Sequence, residues 1–229
     1  MAQTRTGIQP IRLSMDLRGN TFVIHPTLLW DDQDVILVDT GLPGQVEVLR
    51  AAFQEAAIPW EKLTKIIITH QDMDHIGGLP EIVQEFGDRV QVLAHEVAVP
   101  YLAGEVPLVK SKALATPVKV DVVLQDGDVL PFAGGLQVVF TPGHTPDHIS
   151  LYHIPSKTLI SGDALTADNG VLHSFNPAFT PDKETAIQSI TKFQALELES
   201  AIVYHGGVCT ENLQDRLQVI VTASPTVTE

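Results

Sequence analysis

The 229-residue chain is short of cysteine, of basic charge and of aromatic side chains. Its one cysteine, Cys209, excludes an internal disulfide, so nothing marks the chain for an oxidising compartment. Lys and Arg total 14 against 28 Asp and Glu, a formal net charge of −14. Such a charge repels phosphate backbones and anionic lipid, which argues against nucleic acid and membrane surfaces as partners. No apolar run approaches the roughly 20 residues that a membrane helix needs. The opening MAQTRTGIQPIRLSMD has no apolar stretch of the signal-peptide kind, so a cytoplasmic location is expected. Apolar residues are plentiful: 44% are hydrophobic and 18% charged, enough for a sizeable core. With no repeat and no low-complexity linker, residues 1–229 read as one domain.

Hydrophobic periodicity then gives the element order. Residues 11–15 and 21–30 are β-rich, with an RGN turn between them, and VILVDTG over 35–41 is a short apolar strand. Residues 45–57 have helical spacing and no breaker. A strand over 64–69 (TKIIIT) leads into the stretch THQDMDHIGG, then a helix to about residue 86, a strand over 90–94 and a helical stretch over 95–102. Residues 103–117 read as a loop or a short-helix insertion, and 164–179 as a loop. The second half is dense in short strands at 120–124, 129–132, 136–141, 149–154, 158–163 and 201–205, with helices over 183–198 and 211–221 and a tail, ASPTVTE, expected to fray. Both halves run strands first and strand–helix last, which implies two sheets packed face to face with helices outside.

Metal-capable side chains fall at the C-terminal tips of these strands. Asp39 ends VILVD, and His70, Asp72, Asp74 and His75 follow KIIIT. His144 follows VVFTPG, Asp163 ends TLISG and His205 ends AIVY. Metal sites need several such groups converging from different elements. Scattered surface histidines would not fall at one strand tip after another.

In this order and spacing, THQDMDHIGG, TPGHTPDH, SGDAL and YHGG resemble the metallo-β-lactamase superfamily, whose pattern is His-x-His-x-Asp-His, then His, Asp and His. The resemblance runs from Asp39 to His205 and implies a four-layer αββα sandwich of the α/β class. It further implies two divalent metal ions: His70, position 72 and His144 would hold one, Asp74, His75 and His205 the other, and Asp163 would bridge them. A hydroxide between the metals would be the nucleophile, with Asp74 orienting it or taking its proton. Asp39 and His148 would lie behind the ligands, and Gly77-Gly78 would allow the next helix to pack closely. Resembling enzymes cleave esters, thioesters, lactones and β-lactams in small molecules. A glutathione thioesterase would want a basic patch, for which residues from 181 on offer only Lys183, Lys192 and Arg216.

The departure is Asp72, where the pattern carries His. In resembling proteins that His ligates through its nearer ring nitrogen, and a carboxylate oxygen has similar reach. A third carboxylate brings the cluster close to neutral, weakens the metals as Lewis acids and suits harder ions. Zinc is the first expectation, with iron and manganese as alternatives. Asp72 could instead be a carboxylate that touches no metal. A redox reading stays open, because flavodiiron proteins carry an acidic residue at this position. So does a binding protein with a degenerate centre. For the remaining residues, Cys209 reads as a buried inert thiol, His25 and His153 as structural, and His95 as the start of a helix. His173, Phe175 and Phe179, in the 164–179 segment, are candidates for contact with substrate.

Overall fold

Three consecutive isoleucines show how the layers form. Ile66 and Ile68 face one side of their strand and Ile67 the other, and all three are fully buried. Side chains alternate across a strand, so an unbroken apolar run is stable only when both faces are covered. Burying each such side chain contributes about 1.5–3 kcal/mol.

The computed structural model describes residues 6–17 and 19–223. The first half contains β1 (Gly7–Pro10), β2 (Leu13–Leu17), β3 (Asn20–Ile24), β4 (Thr27–Trp30), β5 (Val35–Val38), α1 (Val46–Glu55), β6 (Leu63–Ile68), α2 (Met73–Ile76), α3 (Leu79–Phe86), β7 (Gln91–His95), α4 (Val99–Leu102) and β8 (Val122–Leu124). The second half contains β9 (Val129–Leu130), β10 (Leu136–Phe140), β11 (Ile149–His153), β12 (Thr158–Ile160), β13 (Leu165–Asp168), β14 (Val171–Ser174), α5 (Lys183–Thr191), β15 (Ser200–Val203), β16 (Gly207–Cys209) and α6 (Leu213–Ala223). One sheet has the order β1-β4-β5-β6-β7-β8, the other β16-β15-β12-β11-β10-β9.

The cores separate by strand face. Ile36, Val38, Ile67 and Leu93 of the first sheet meet Val138, Ile149, Leu151 and Ile202 of the second. Leu37, Ile66, Ile68 and Val92 pack outward on Leu49, Phe53 and Ile82 of α1 and α3. Val139, Leu159, Ala201 and Val203 pack outward on Ile190 and Leu217 of α5 and α6. The result is the expected αββα sandwich.

Strand direction gathers the tips. β5 and β6 are parallel, as are β12 and β15, while β10 and β12 each run antiparallel to β11 and so point the same way. The backbone N–H of Ile149, at the start of β11, donates to Thr69 O at the end of β6 (2.9 Å), tying the two sheets together at this edge.

Several sequence expectations need correction. The strand expected over 21–30 is broken at His25-Pro26, since proline lacks the N–H a ladder requires. Residues 164–179 are not simply a loop but contain the β13–β14 hairpin. His95 both ends β7 and opens the helical stretch as expected: it caps the 3-10 helix Glu96–Ala98, its Nδ1 accepting the N–H of Val97 (3.3 Å). The helix expected over 183–198 stops at Thr191 and continues as a 3-10 turn, Lys192–Ala195. The turn at Arg18 and residues 224–229 of the tail lie outside the described residues.

Candidate metal centre

The edge between the sheets holds two groups of ligand-type atoms, each group within 4.8 Å: His70, Asp72, His144 and Asp163, and Asp74, His75 and His205. These are the seven residues singled out from the sequence. Asp163 lies at the junction, with Oδ1 3.3 Å from His75 Nε2 and Oδ2 3.2 Å from His144 Nε2 and 3.3 Å from His205 Nε2.

The hydrogen bonds fix which nitrogen each ring turns inward. His75 Nδ1–H donates to Asp39 Oδ2 (2.8 Å). Thr69 donates to the same carboxylate through Oγ1 (2.7 Å) and through its N–H to Oδ1 (2.8 Å). With the Thr69 hydroxyl proton so used, His70 Nδ1–H donates to Thr69 Oγ1 (3.0 Å). Likewise Thr180 Oγ1 donates to Asn176 O (2.9 Å), and His144 Nδ1–H points at Thr180 Oγ1 (3.3 Å). Each of these three rings therefore presents Nε2 to the centre.

Asp39 therefore stands behind the ligands, as the sequence suggested, in a left-handed backbone conformation (φ 64°) that is uncommon outside glycine. His148 does too. Its Nε2 accepts the N–H of Asp163 (2.9 Å) and its Nδ1–H donates to Thr141 Oγ1 (2.8 Å), placing the Asp163 backbone. Burial and the neighbouring His70 and His144 push the pKa of His148 well down, so it stays neutral and can accept that bond. Gly162 (φ 53°) is required beside it: a Cβ there would lie 2.7 Å from His148 Nε2. Gly77 packs as expected, with a Cβ position 2.3 Å from Pro43 N.

The electrostatics follow from three carboxylates among four imidazoles. Burial opposes the charge on Asp72, but the close His144 and His70 rings and the charge of Lys110 drive its pKa far below the usual carboxylate range. Burial likewise opposes ionisation of Asp163 and Asp74, and the surrounding histidines hold both low. In return, Asp163 and Asp74 overcome burial at His205 and raise it to about 9. Asp39, Asp163 and Asp74 do the same more strongly at His75.

The chemistry of this donor set fits divalent metal ions. His70 Nε2, His75 Nε2 and Asp163 Oδ1 are buried and make no hydrogen bond. Unpaired buried polar atoms are costly and rare, and here they converge. Among transition metals, a mixed imidazole–carboxylate set suits zinc, iron and manganese.

Asp72 is the N-terminal flanking residue of α2 but caps no backbone N–H. Its Oδ2 instead faces His144 Nε2 (3.0 Å) and His70 Nε2 (3.3 Å). A cavity of about 660 Å³ opens over both groups, with Phe22, Leu42, Met73, Leu108 and Phe179 among its walls. His173 and Phe175 do not line it: His173 is exposed on β14 beside Arg216, and Phe175 is buried in the core under α5 and α6. Alternation along β14 turns Leu172 inward and His173 outward, and Phe175 follows the end of the strand at Ser174, where the chain turns its ring into the core.

The sequence reading missed Lys110, Gln71, Asp147 and Tyr204. The Tyr204 ring stacks on His75 (centroids 3.8 Å apart) and its hydroxyl donates to Asp74 O. Lys110 Nζ donates to Asp72 Oδ2 and to His144 Nε2 (2.6 Å). Burial disfavours a charged His144, and Asp163 and Asp72 favour it. An Nε2–H facing Lys110 would nevertheless set donor against donor, so this contact requires the neutral ring.

Comparison with known proteins bears on the family and the fold. A sequence model of the metallo-beta-lactamase superfamily matches residues 19–205. The chain is 30% identical to the probable metallo-hydrolase YflN of Bacillus subtilis, over 85% of this chain and 82% of that protein. It is 28% identical to the hydroxyacylglutathione hydrolase GloC of Haemophilus influenzae, over 83% and 89%. Among solved structures, a metallo-beta-lactamase from Pontibacter korlensis superposes with a TM-score of 0.72 at 22% identity, over 96% of this chain and 98% of that one. A metallo-beta-lactamase family protein from Thermus thermophilus superposes with a TM-score of 0.69 at 20% identity, over 95% and 79%.

Proposed function

The chain belongs to the metallo-β-lactamase superfamily, and from that premise we propose that it is a metal-dependent hydrolase of a small ester, thioester or lactone. The observation that carries the reading is the convergence of the buried atoms His70 Nε2, His75 Nε2 and Asp163 Oδ1, which make no hydrogen bond, beneath one cavity. His70, Asp72 and His144 would hold one ion, Asp74, His75 and His205 a second, with Asp163 shared. Zinc is the first expectation and iron or manganese the alternatives. Bound there, such ions would supply Lewis acidity toward a carbonyl oxygen and a nucleophilic water at neutral pH.

The chain's own residues do the rest. The apolar walls exclude water and seat a small organic group. Asp74 lines the cavity with its carboxylate ionised, placed to orient a water or take its proton at Oδ2. Asp39 and Thr69 hold the rings of His75 and His70 in the orientation described above. The name of the Haemophilus relative brings an acylated thiol within this range of substrates.

The test is a panel of esters, thioesters and lactones, assayed on the protein as purified, after chelation and after reloading with zinc. Turnover of at least one class, lost on chelation and restored by zinc, is expected. Absence of turnover on all three by metal-loaded protein would overturn the hydrolase reading in favour of a binding protein. Bound iron with visible absorbance would favour redox chemistry.

A further inference from the structure

We propose that Lys110 is a built-in counter-cation of the His70–Asp72–His144 group, competing with a metal ion there and leaving the two groups unequal in affinity. This inference rests on the metal-centre reading above. The ammonium of Lys110 donates to Asp72 Oδ2 and His144 Nε2. Those are the lone pairs that a metal on this group would take. A bound ion and the ammonium cannot share them, because they would compete for the same donor atoms and repel as like charges.

The position of the lysine is constructed. The N–H of its neighbour Val109 donates to Gln71 Oε1 (2.6 Å), and Gln71 Nε2 donates to Asp147 Oδ1 (2.9 Å). Gln71 and Asp147 are fully buried, and Leu108, two residues before Lys110, is buried at the cavity wall. Gln71 lies between His70 and Asp72 in the sequence, so the stretch that carries two ligands also anchors the loop that carries Lys110. The Lys110 side chain is 26% exposed and borders the cavity, which gives it somewhere to go when an ion enters.

Charge explains the pairing. Histidine at position 72 would be neutral as a ligand, whereas Asp72 with Lys110 is neutral only as a pair. A metal that displaces the ammonium leaves Asp72 as a ligand and frees Lys110, a cavity-lining lysine, to turn toward the cavity.

The experiment titrates zinc into metal-free protein against a chromophoric chelator, for the wild type, Lys110→Met and Lys110→Arg, with folding followed by circular dichroism. The wild type should bind two ions with affinities at least a hundredfold apart. Lys110→Met should tighten the weaker ion tenfold or more and leave the tighter one within threefold, and Lys110→Arg should behave as the wild type. Should Lys110→Met fail to fold, Lys110→Gln is read in the same way. Two ions of equal affinity in the wild type, or a weaker-ion affinity unchanged within threefold in the folded variant, would overturn the proposal. If none of the proteins binds zinc, the metal-centre reading itself fails, and the two failures are thereby distinguished.

Discussion

The two ligand groups share one carboxylate, Asp163, yet are supported differently. Asp74, His75 and His205 are backed by Asp39 beneath His75 and by the stacked ring of Tyr204. His70, Asp72 and His144 are instead entered from the cavity side by Lys110. Both groups are braced by hydrogen bonds from behind, the first directly by Asp39 and the second through Thr69 and Thr180, but only the second is opposed by a cation in front. Ligand identity alone therefore does not set how a site behaves. What matters as much is whether the neighbours hold the lone pairs open or occupy them.

The largest effect should come from the residue the groups share. Asp163→Asn removes charge facing three imidazoles, and hydrolysis should fall about a thousandfold or more, as when a group acting directly on the reacting centre is lost. Activity within tenfold of wild type would show that the groups act separately. Next, Asp39→Ala should weaken ion binding about 10- to 100-fold at the group of His75, which it holds directly, and less at the group of His70, which it holds through Thr69. Equal weakening of both groups, measured by chelator competition, would break the asymmetry.

Proton competition sharpens the comparison further. Below about 9 His205 holds a proton in metal-free protein, and an ion must displace it. Affinity of this group should therefore rise by about tenfold per pH unit for each proton displaced, and less steeply above about 9, where only the proton on His75 is left to displace. A flat profile between pH 7 and 9 would contradict the charge state assigned to His205. The smallest effect belongs to His173, which lies away from the cavity: His173→Ala should leave kcat/KM within about twofold.

Much of this was legible because it is periodic or local. KIIIT announces a strand covered on both faces, and the strand tips carry ligand-type side chains to one edge. The β13–β14 hairpin also had its signal, Asn169-Gly170 between two short runs. Both residues have positive φ, the geometry of a tight hairpin turn. The polar run LTAD masked it. Lys110 had no local signal at all. Its place depends on Gln71 and Asp147, 39 and 37 residues away, and a loop residue positioned by a distant buried amide leaves no period in the sequence. For the same reason Phe175 and His173 were misplaced, since which face of a short hairpin meets the cavity is decided by packing on α5 and α6.

The central claim is that the seven converging residues form a metal centre. The direct measurement is metal content by mass spectrometry of protein grown with zinc, iron or manganese supplied, for the wild type and Asp72→Ala. The account predicts up to two equivalents per chain in the wild type and a loss confined to one ion in Asp72→Ala. Under half an equivalent bound with every ion supplied would contradict it.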